Sequence, residues 1–210
     1  MIQRTLLDFL NRWKNSPSRL PLILRGARQV GKTTLIHQFG KFFDNYLYFN
    51  LEKSTDANYF LNFQSVANLV SLLFLSKNLS LQKGKSYLLF IDEVQEMPFV
   101  IEQLRYFYEE YPHIHIIVTG SLLDFALKKI EKVPVGRVEY AEMHPLSFRE
   151  YLAANGKTAI LEKLNNETPL PNDFLSLIMA AFNQYAMIGG MPMIVQNYID
   201  EKSLVRLNEL

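Results

Sequence analysis

The chain has 210 residues, 49% apolar and 20% charged, and 22 basic against 21 acidic side chains leave a formal net charge of +1. That length can bury a sizeable core, one α/β domain plus a smaller appendage, while the balanced charge gives no whole-chain field for nucleic acid or an anionic membrane. The absence of cysteine excludes disulfides and thiolate metal sites and is compatible with a reducing cytoplasm.

Residues 2–13 place Ile2, Leu6, Phe9, Leu10 and Trp13 on one face at helical spacing, which predicts a helix packed on a sheet edge. Arg4 and Asp8 break its apolar pattern and no small-residue cleavage site follows, so it does not read as a signal peptide. Asn15-Ser16-Pro17-Ser18 is the turn that ends it. Leu22-Ile23-Leu24 reads as a strand, and a helix starts near Lys32 and continues over Thr34–Phe43 with Leu35, Ile36 and Phe39 inward. Asp44-Asn45 breaks that helix, and Tyr46–Asn50 follows as a strand. Residues 56–81 predict two helices; apolar runs such as Leu69–Leu75 are far short of a membrane span.

Tyr87–Ile91 predicts a buried strand running into Asp92-Glu93, and Pro98 opens a helix with Val100, Leu104 and Phe107 on its inner face. Ile114–Thr119 is the next strand, Gly120-Ser121 turns the chain, and Ser121 with Asp124 resembles a capping box for a short helix. Val133–Tyr140 reads as a fifth strand, and Ser147 with Glu150 caps a helix from Phe148 that Asn155-Gly156 closes. From Lys157 the chain turns polar, with Asn165-Asn166, Pro169 and Pro171, before a helical pattern over Phe174–Met187. Ile188-Gly189-Gly190-Met191-Pro192 ends that pattern, and a helical tail carries Leu204, Leu207 and Leu210. Strands alternating with helices predict an α/β fold, a mainly parallel five-stranded sheet sandwiched by helices and followed by a small helical lid. The corresponding parts are residues 1–20 (helix and turn), 21–156 (core) and 157–210 (lid).

Two motifs carry the chemistry. Gly26-Ala27-Arg28-Gln29-Val30-Gly31-Lys32-Thr33 fits G-x-x-x-x-G-K-[ST], a phosphate-binding loop between strand and helix. Its glycines let consecutive N–H groups face phosphate oxygens, Lys32 reaches the β- and γ-phosphates, and the Thr33 hydroxyl is placed to hold magnesium. A glycine-rich turn entering a helix is the plain alternative, and the strand before and helix after weigh against it. Asp92-Glu93 ends a buried strand at the sheet's carboxyl edge, where Asp92 would hold magnesium through its shell and Glu93 would orient an attacking water.

Weaker candidates stand with alternatives. Thr119 ends a strand, so its hydroxyl either approaches the γ-phosphate or is satisfied in a turn. Arg137 either stabilises transition-state charge or pairs with Glu139 or Glu142 at the surface. Arg28 contacts phosphate or an acid, and Arg105 reads as a solvated charge. The four histidines lack zinc-site spacing, and no Ser/His/Asp arrangement can be read.

With GARQVGKTT, LLFIDEVQ, VTGS, PVGRVE, PLSFREY and YAMIGGMP in that order, residues 20–195 resemble the prokaryotic AAA-type P-loop ATPases related to archaeal-type and signal-transducing NTPases. The resemblance implies that Lys32 and Thr33, with Thr34 beside them, belong to Walker A, Asp92 and Glu93 to Walker B, and Thr119 to the sensor position. It also implies that Arg137 belongs to a Gly-Arg motif and that Pro192, in Gly190-Met191-Pro192, lies near the adenine. Family members are longer, so it further implies a carboxy-terminal output domain with nuclease-like and winged-helix features, absent here.

The reading is therefore a cytoplasmic magnesium-ATP hydrolysing module that couples nucleotide state to lid movement. A DNA or protein partner is implied by family analogy alone, and no membrane is implicated. A signalling switch with negligible turnover is one alternative, and a small-molecule phosphotransferase is the other, disfavoured by a lid poor in arginine. GTP recognition lacks its [NT]-K-x-D tetrad, and a transporter its L-S-G-G-Q segment.

Overall fold

Tyr87–Asp92 and Ile114–Thr119 are buried at every residue, which is why both read as continuous apolar runs instead of alternating ones. The computed structural model describes residues 2–61, 63–121, 123, 136–165 and 172–201. Its sheet comprises β1 (Leu22–Arg25), β2 (Asn45–Asn50), β3 (Tyr87–Asp92), β4 (Ile114–Thr119) and β5 (Glu139–Glu142). The spatial order is β2-β3-β4-β1-β5, and all these pairings are parallel. The register sets Asn50 beside Asp92 and Leu24 beside Thr119, so the carboxyl ends of four strands meet at one edge.

The helices are α1 (Leu6–Asn15), α2 (Lys32–Gly40), α3 (Ser54–Leu61), α4 (Val66–Ser76), α5 (Phe99–Glu110), α6 (Phe148–Ala154), α7 (Thr158–Asn165), α8 (Asn172–Ile188) and α9 (Pro192–Glu201). The chain divides into two compact units, one of residues 8–28 and 32–143, the other of residues 1–7, 29–31 and 144–210. In the sheet unit Phe49, Phe60, Leu69, Leu73, Tyr87, Val100, Leu104 and Phe107 share one core. Each such side chain contributes about 1.5–3 kcal/mol through removal from water.

In the helical unit Leu146, Tyr151, Ile188 and Val195 pack with Phe148, Tyr185 and Tyr198. Gly189, at φ 79°, ends α8 with its N–H on the Tyr185 carbonyl at 2.7 Å. Gly190 then gives its carbonyl to the Leu146 N–H at 2.6 Å, and a Cβ there would sit 2.5 Å from the Leu146 oxygen. Among the described residues no single helix is long and apolar enough to cross a membrane; α8 and α9 reach that test only as a pair bent by 118°.

Three boundaries differ from expectation for physical reasons. The first helix starts at Leu6 instead of residue 2, because the N–H and hydroxyl of Thr5 are taken by the Glu150 carboxylate at 2.8 and 3.1 Å. Helix α2 stops at Gly40 and continues as tighter turns to Phe43, since the Tyr46 ring lies against Gly40 where a Cβ would come within 2.8 Å. Strand β5 begins at Glu139 because β1 offers an edge only from Leu22; Gly136, at φ 71°, and Arg137 form a turn before it. Residues 133–135, Asp124, Asn166, Pro169, Pro171 and the leucines at 204, 207 and 210 lie outside the described residues.

Candidate active site

The Gly26–Thr33 octet joins β1 to α2 with a backbone that only a glycine-rich segment tolerates. Gly26 and Gly31 have φ of 145° and 96°, and Gln29 between them adopts the left-handed region at 64°. Lys32 is buried, and its Nζ donates to the Gly26 and Ala27 carbonyls, both at 2.8 Å. Burial lowers its pKa, opposed by the negative charges of Glu93 and Asp92 and assisted by Arg28. Val30 is fully buried, whereas Ala27, Arg28, Gln29 and Thr34 are exposed. The Arg28 Nε donates to the Ser121 hydroxyl at 3.4 Å.

Asp92 is the hub of the sheet edge. Its carboxylate accepts the Thr33 hydroxyl at 2.7 Å, the Glu93 N–H at 3.0 Å, the Thr119 hydroxyl, and more distantly the Tyr48 hydroxyl at 3.4 Å. Thr119 thus spends its hydroxyl on Asp92, a role between the two that its sequence position left open. Burial and the Asp92 charge together push the Tyr48 phenol up to about 12, so it stays a donor. Asp92 is 2% exposed, and these donors are all neutral. A buried carboxylate so surrounded, with a threonine hydroxyl beside it, fits an oxygen-ligating divalent cation such as magnesium, which keeps waters and phosphate oxygens as its other ligands.

Glu93 adopts φ 55° and ψ 44°, a left-handed conformation that costs a non-glycine residue energy and is typical of functional positions. The Gln95 amide donates to its carboxylate at 2.6 Å, while the Gln95 oxygen is buried with no hydrogen-bond partner among the described residues. Gly120 makes room for that amide, since a Cβ there would come 2.5 Å from the Gln95 oxygen. A cleft of about 200 Å³ opens along Arg25, Gly26, Ala27, Gly120, Ser121 and Leu123.

Lys32, Thr33, Asp92 and Thr119 therefore converge, with Glu93 next in sequence to the hub. Arg137 is exposed and pairs with Glu109 at 3.2 Å. Arg105 pairs with the same Glu109 at 3.8 Å. Pro192 opens α9 in the helical unit. Sequence reasoning missed Tyr48, Gln95 and Gly120. The period-two spacing of Tyr46, Tyr48 and Asn50 along β2 was the available signal for Tyr48; Gln95 had only its place two residues after Glu93.

A family model described as an AAA domain matches residues 18–152. A curated, uncharacterized protein of Haemophilus influenzae is 25% identical over 171 residues, covering 75% of this chain and 40% of that protein. The chain thus spans well under half the length of that relative. The solved Walker-type ATPase PABY2304 of Pyrococcus abyssi aligns with a TM-score of 0.58 at 18% identity, over 100% of this chain and 71% of that one. Drosophila ORC bound to DNA aligns with a TM-score of 0.51 at 14% identity, over 76% of this chain and 48% of that one. At such identities the structural likeness speaks for the fold alone.

Proposed function

The chain belongs to the AAA domain family of P-loop ATPases, and on that premise we propose that it binds magnesium-ATP and hydrolyses it. Gly26–Thr33 and Thr34 cradle the phosphates, with the Lys32 ammonium on the β- and γ-phosphates. Thr33 and Asp92 would hold magnesium, whose chemistry there would be charge neutralisation. A water aligned by Glu93 gives its proton to that carboxylate as its oxygen bonds to the γ-phosphorus. The bond from that phosphorus to the β-bridging oxygen breaks, and ADP and phosphate leave. Thr119 acts as sensor by holding Asp92, Arg137 stabilises transition-state charge once released from Glu109, and Pro192 lies near the adenine as residues 157–210 move with nucleotide state.

The observation that carries this reading is the 2.7 Å bond from the Thr33 hydroxyl to Asp92, which ties together two motifs distant in sequence. Titration calorimetry with ATP and GTP, with and without magnesium, tests it: tight, magnesium-dependent ATP binding is expected, lost in Lys32→Ala. Unchanged affinity in that variant would refute the site. One observation favours the second reading, a binding switch with little turnover: the Gln95 amide already occupies the Glu93 carboxylate. Multiple-turnover phosphate release, abolished by Glu93→Gln, separates the two. A cytoplasmic setting and a DNA or protein partner, acting through an output domain, complete the proposal. The partner rests on analogy, since the net charge of +1 does not favour nucleic acid.

A further inference from the structure

Arg4 belongs to none of the motifs above, yet it is 8% exposed and every nitrogen of its guanidinium is engaged. Nε donates to the Glu150 carboxylate at 3.1 Å, Nη1 to the Val30 carbonyl at 2.7 Å and Nη2 to the His144 carbonyl at 2.6 Å. Glu150 is 6% exposed and also accepts the Ser147 and Thr5 N–H groups at 2.9 and 2.8 Å. Burial alone would raise the Glu150 pKa, but these amides and the guanidinium hold it below the usual carboxylate range. All of these residues lie in the helical unit.

A purely structural ion pair would be complete with Arg4 and Glu150. The Nη1 contact instead falls inside the phosphate loop, on the peptide that joins Val30 to Gly31. In a trans peptide the carbonyl and the following N–H point in opposite directions. Holding the Val30 oxygen therefore aims the Gly31 N–H away from the guanidinium. With φ of 64° at Gln29 and 96° at Gly31, this stretch lies in a turn, so no helix or sheet ladder fixes its peptide planes. Three donors in a rigid fork can serve three acceptors in different directions at once, which a lysine ammonium on a flexible stem does poorly.

We propose that Arg4 is a positioning residue of the nucleotide site. It fixes the Val30–Gly31 peptide so that the Gly31 N–H is presented to phosphate, and through Glu150 and the His144 carbonyl it makes nucleotide affinity depend on the segment 144–150. This rests on the reading of Gly26–Thr33 as a nucleotide loop. Linkage makes the coupling reciprocal: a bound nucleotide tightens that segment by the same factor by which the segment tightens nucleotide binding.

The test compares ATP affinity and melting temperature in the unaltered protein, Arg4→Lys, Arg4→Ala, Glu150→Gln and Leu73→Ala. Leu73 is fully buried in the core of the sheet unit, and truncating it removes packing without touching Arg4, Glu150 or the segment 144–150. At a temperature where each variant is folded, Arg4→Lys and Arg4→Ala should weaken ATP binding about tenfold, the scale of one charge-assisted hydrogen bond. Glu150→Gln should weaken it less, and Leu73→Ala should leave it within about twofold. ATP should also slow amide exchange over 148–154 in the unaltered protein and not in Arg4→Lys. If Arg4→Ala fails to fold, the milder Arg4→Lys and Glu150→Gln decide. Unaltered ATP affinity in a folded Arg4→Lys, or equal weakening in Leu73→Ala, overturns the inference and leaves a structural ion pair. Failure of the unaltered protein to bind ATP brings down the nucleotide reading, and this inference with it.

Discussion

Asp92 and Glu150 are both buried carboxylates, and their surroundings are opposite. Asp92 takes its hydrogen bonds from hydroxyls and an amide, while the Lys32 ammonium acts on it through space without bonding it. Glu150 faces a guanidinium at 3.1 Å and has its charge balanced within the fold. The difference teaches what each is for. A buried anion held only by neutral dipoles is costly unless a cation joins it, whereas a paired one is finished and its removal strands the partner.

The sharpest way to break the comparison acts on the cation side. Lys32→Ala should reduce ATP affinity at least a hundredfold by calorimetry, on the order of 3 kcal/mol, with little change in melting temperature, because its other bonds are to two loop carbonyls. Glu150→Ala should act mainly on the fold, lowering unfolding free energy in urea by about 3 kcal/mol because Arg4 is left buried without its countercharge, with a smaller loss of ATP affinity. A stable Glu150→Ala would show that the pair is not balanced in the way described.

His115 supplies a third kind of buried group, held neutral. Burial, with the charge of Arg19 adding to it, lowers its pKa to about 4, against the opposing pull of the Lys14 and Tyr87 carbonyls. A depressed folded value means the unfolded chain takes up the proton first. Stability is therefore full above pH 6.5 and is lost as pH falls from there toward 4. Between pH 6.5 and 5 the loss should be about 2 kcal/mol by urea denaturation, and His115→Gln should flatten that part of the profile.

The smallest effect is expected beside Asp92. Gln95→Ala frees the Glu93 carboxylate from a 2.6 Å bond and removes a buried oxygen with no partner. Phosphate release should rise about threefold, the scale of one hydrogen bond. A fall would instead make Gln95 an aid to water placement.

The same contrast governs what the sequence made legible. The Asp92 side could be read because its parts are local: an octet between a strand and a helix, and two acids ending an apolar run. Parallel pairing supplied the rest, since strands that share a register bring their ends together. The Glu150 side could not be read, because Arg4 and Glu150 are 146 positions apart and nothing in spacing predicts which arginine meets which acid. Glu150 was legible as the end of a capping box with Ser147, which the structure contains, but not as the partner of residue 4. Gly120 looked like a plain turn, and its real constraint is the Gln95 amide packed against it. The start of β5 was illegible for a related reason, since it is set by the available edge of β1 and not by its own residues.

A wholly parallel sheet also shapes how the molecule comes into being. None of the described neighbouring strands is joined by a hairpin, and β1 has β4 and β5 as its flanks. As the polypeptide leaves the ribosome, Leu22–Arg25 stays without partners on either side until Thr119 and then Glu142 have been made. The phosphate loop is thus synthesised well before the strands that give it its shape, and that interval is when a chaperone would have an apolar strand to hold.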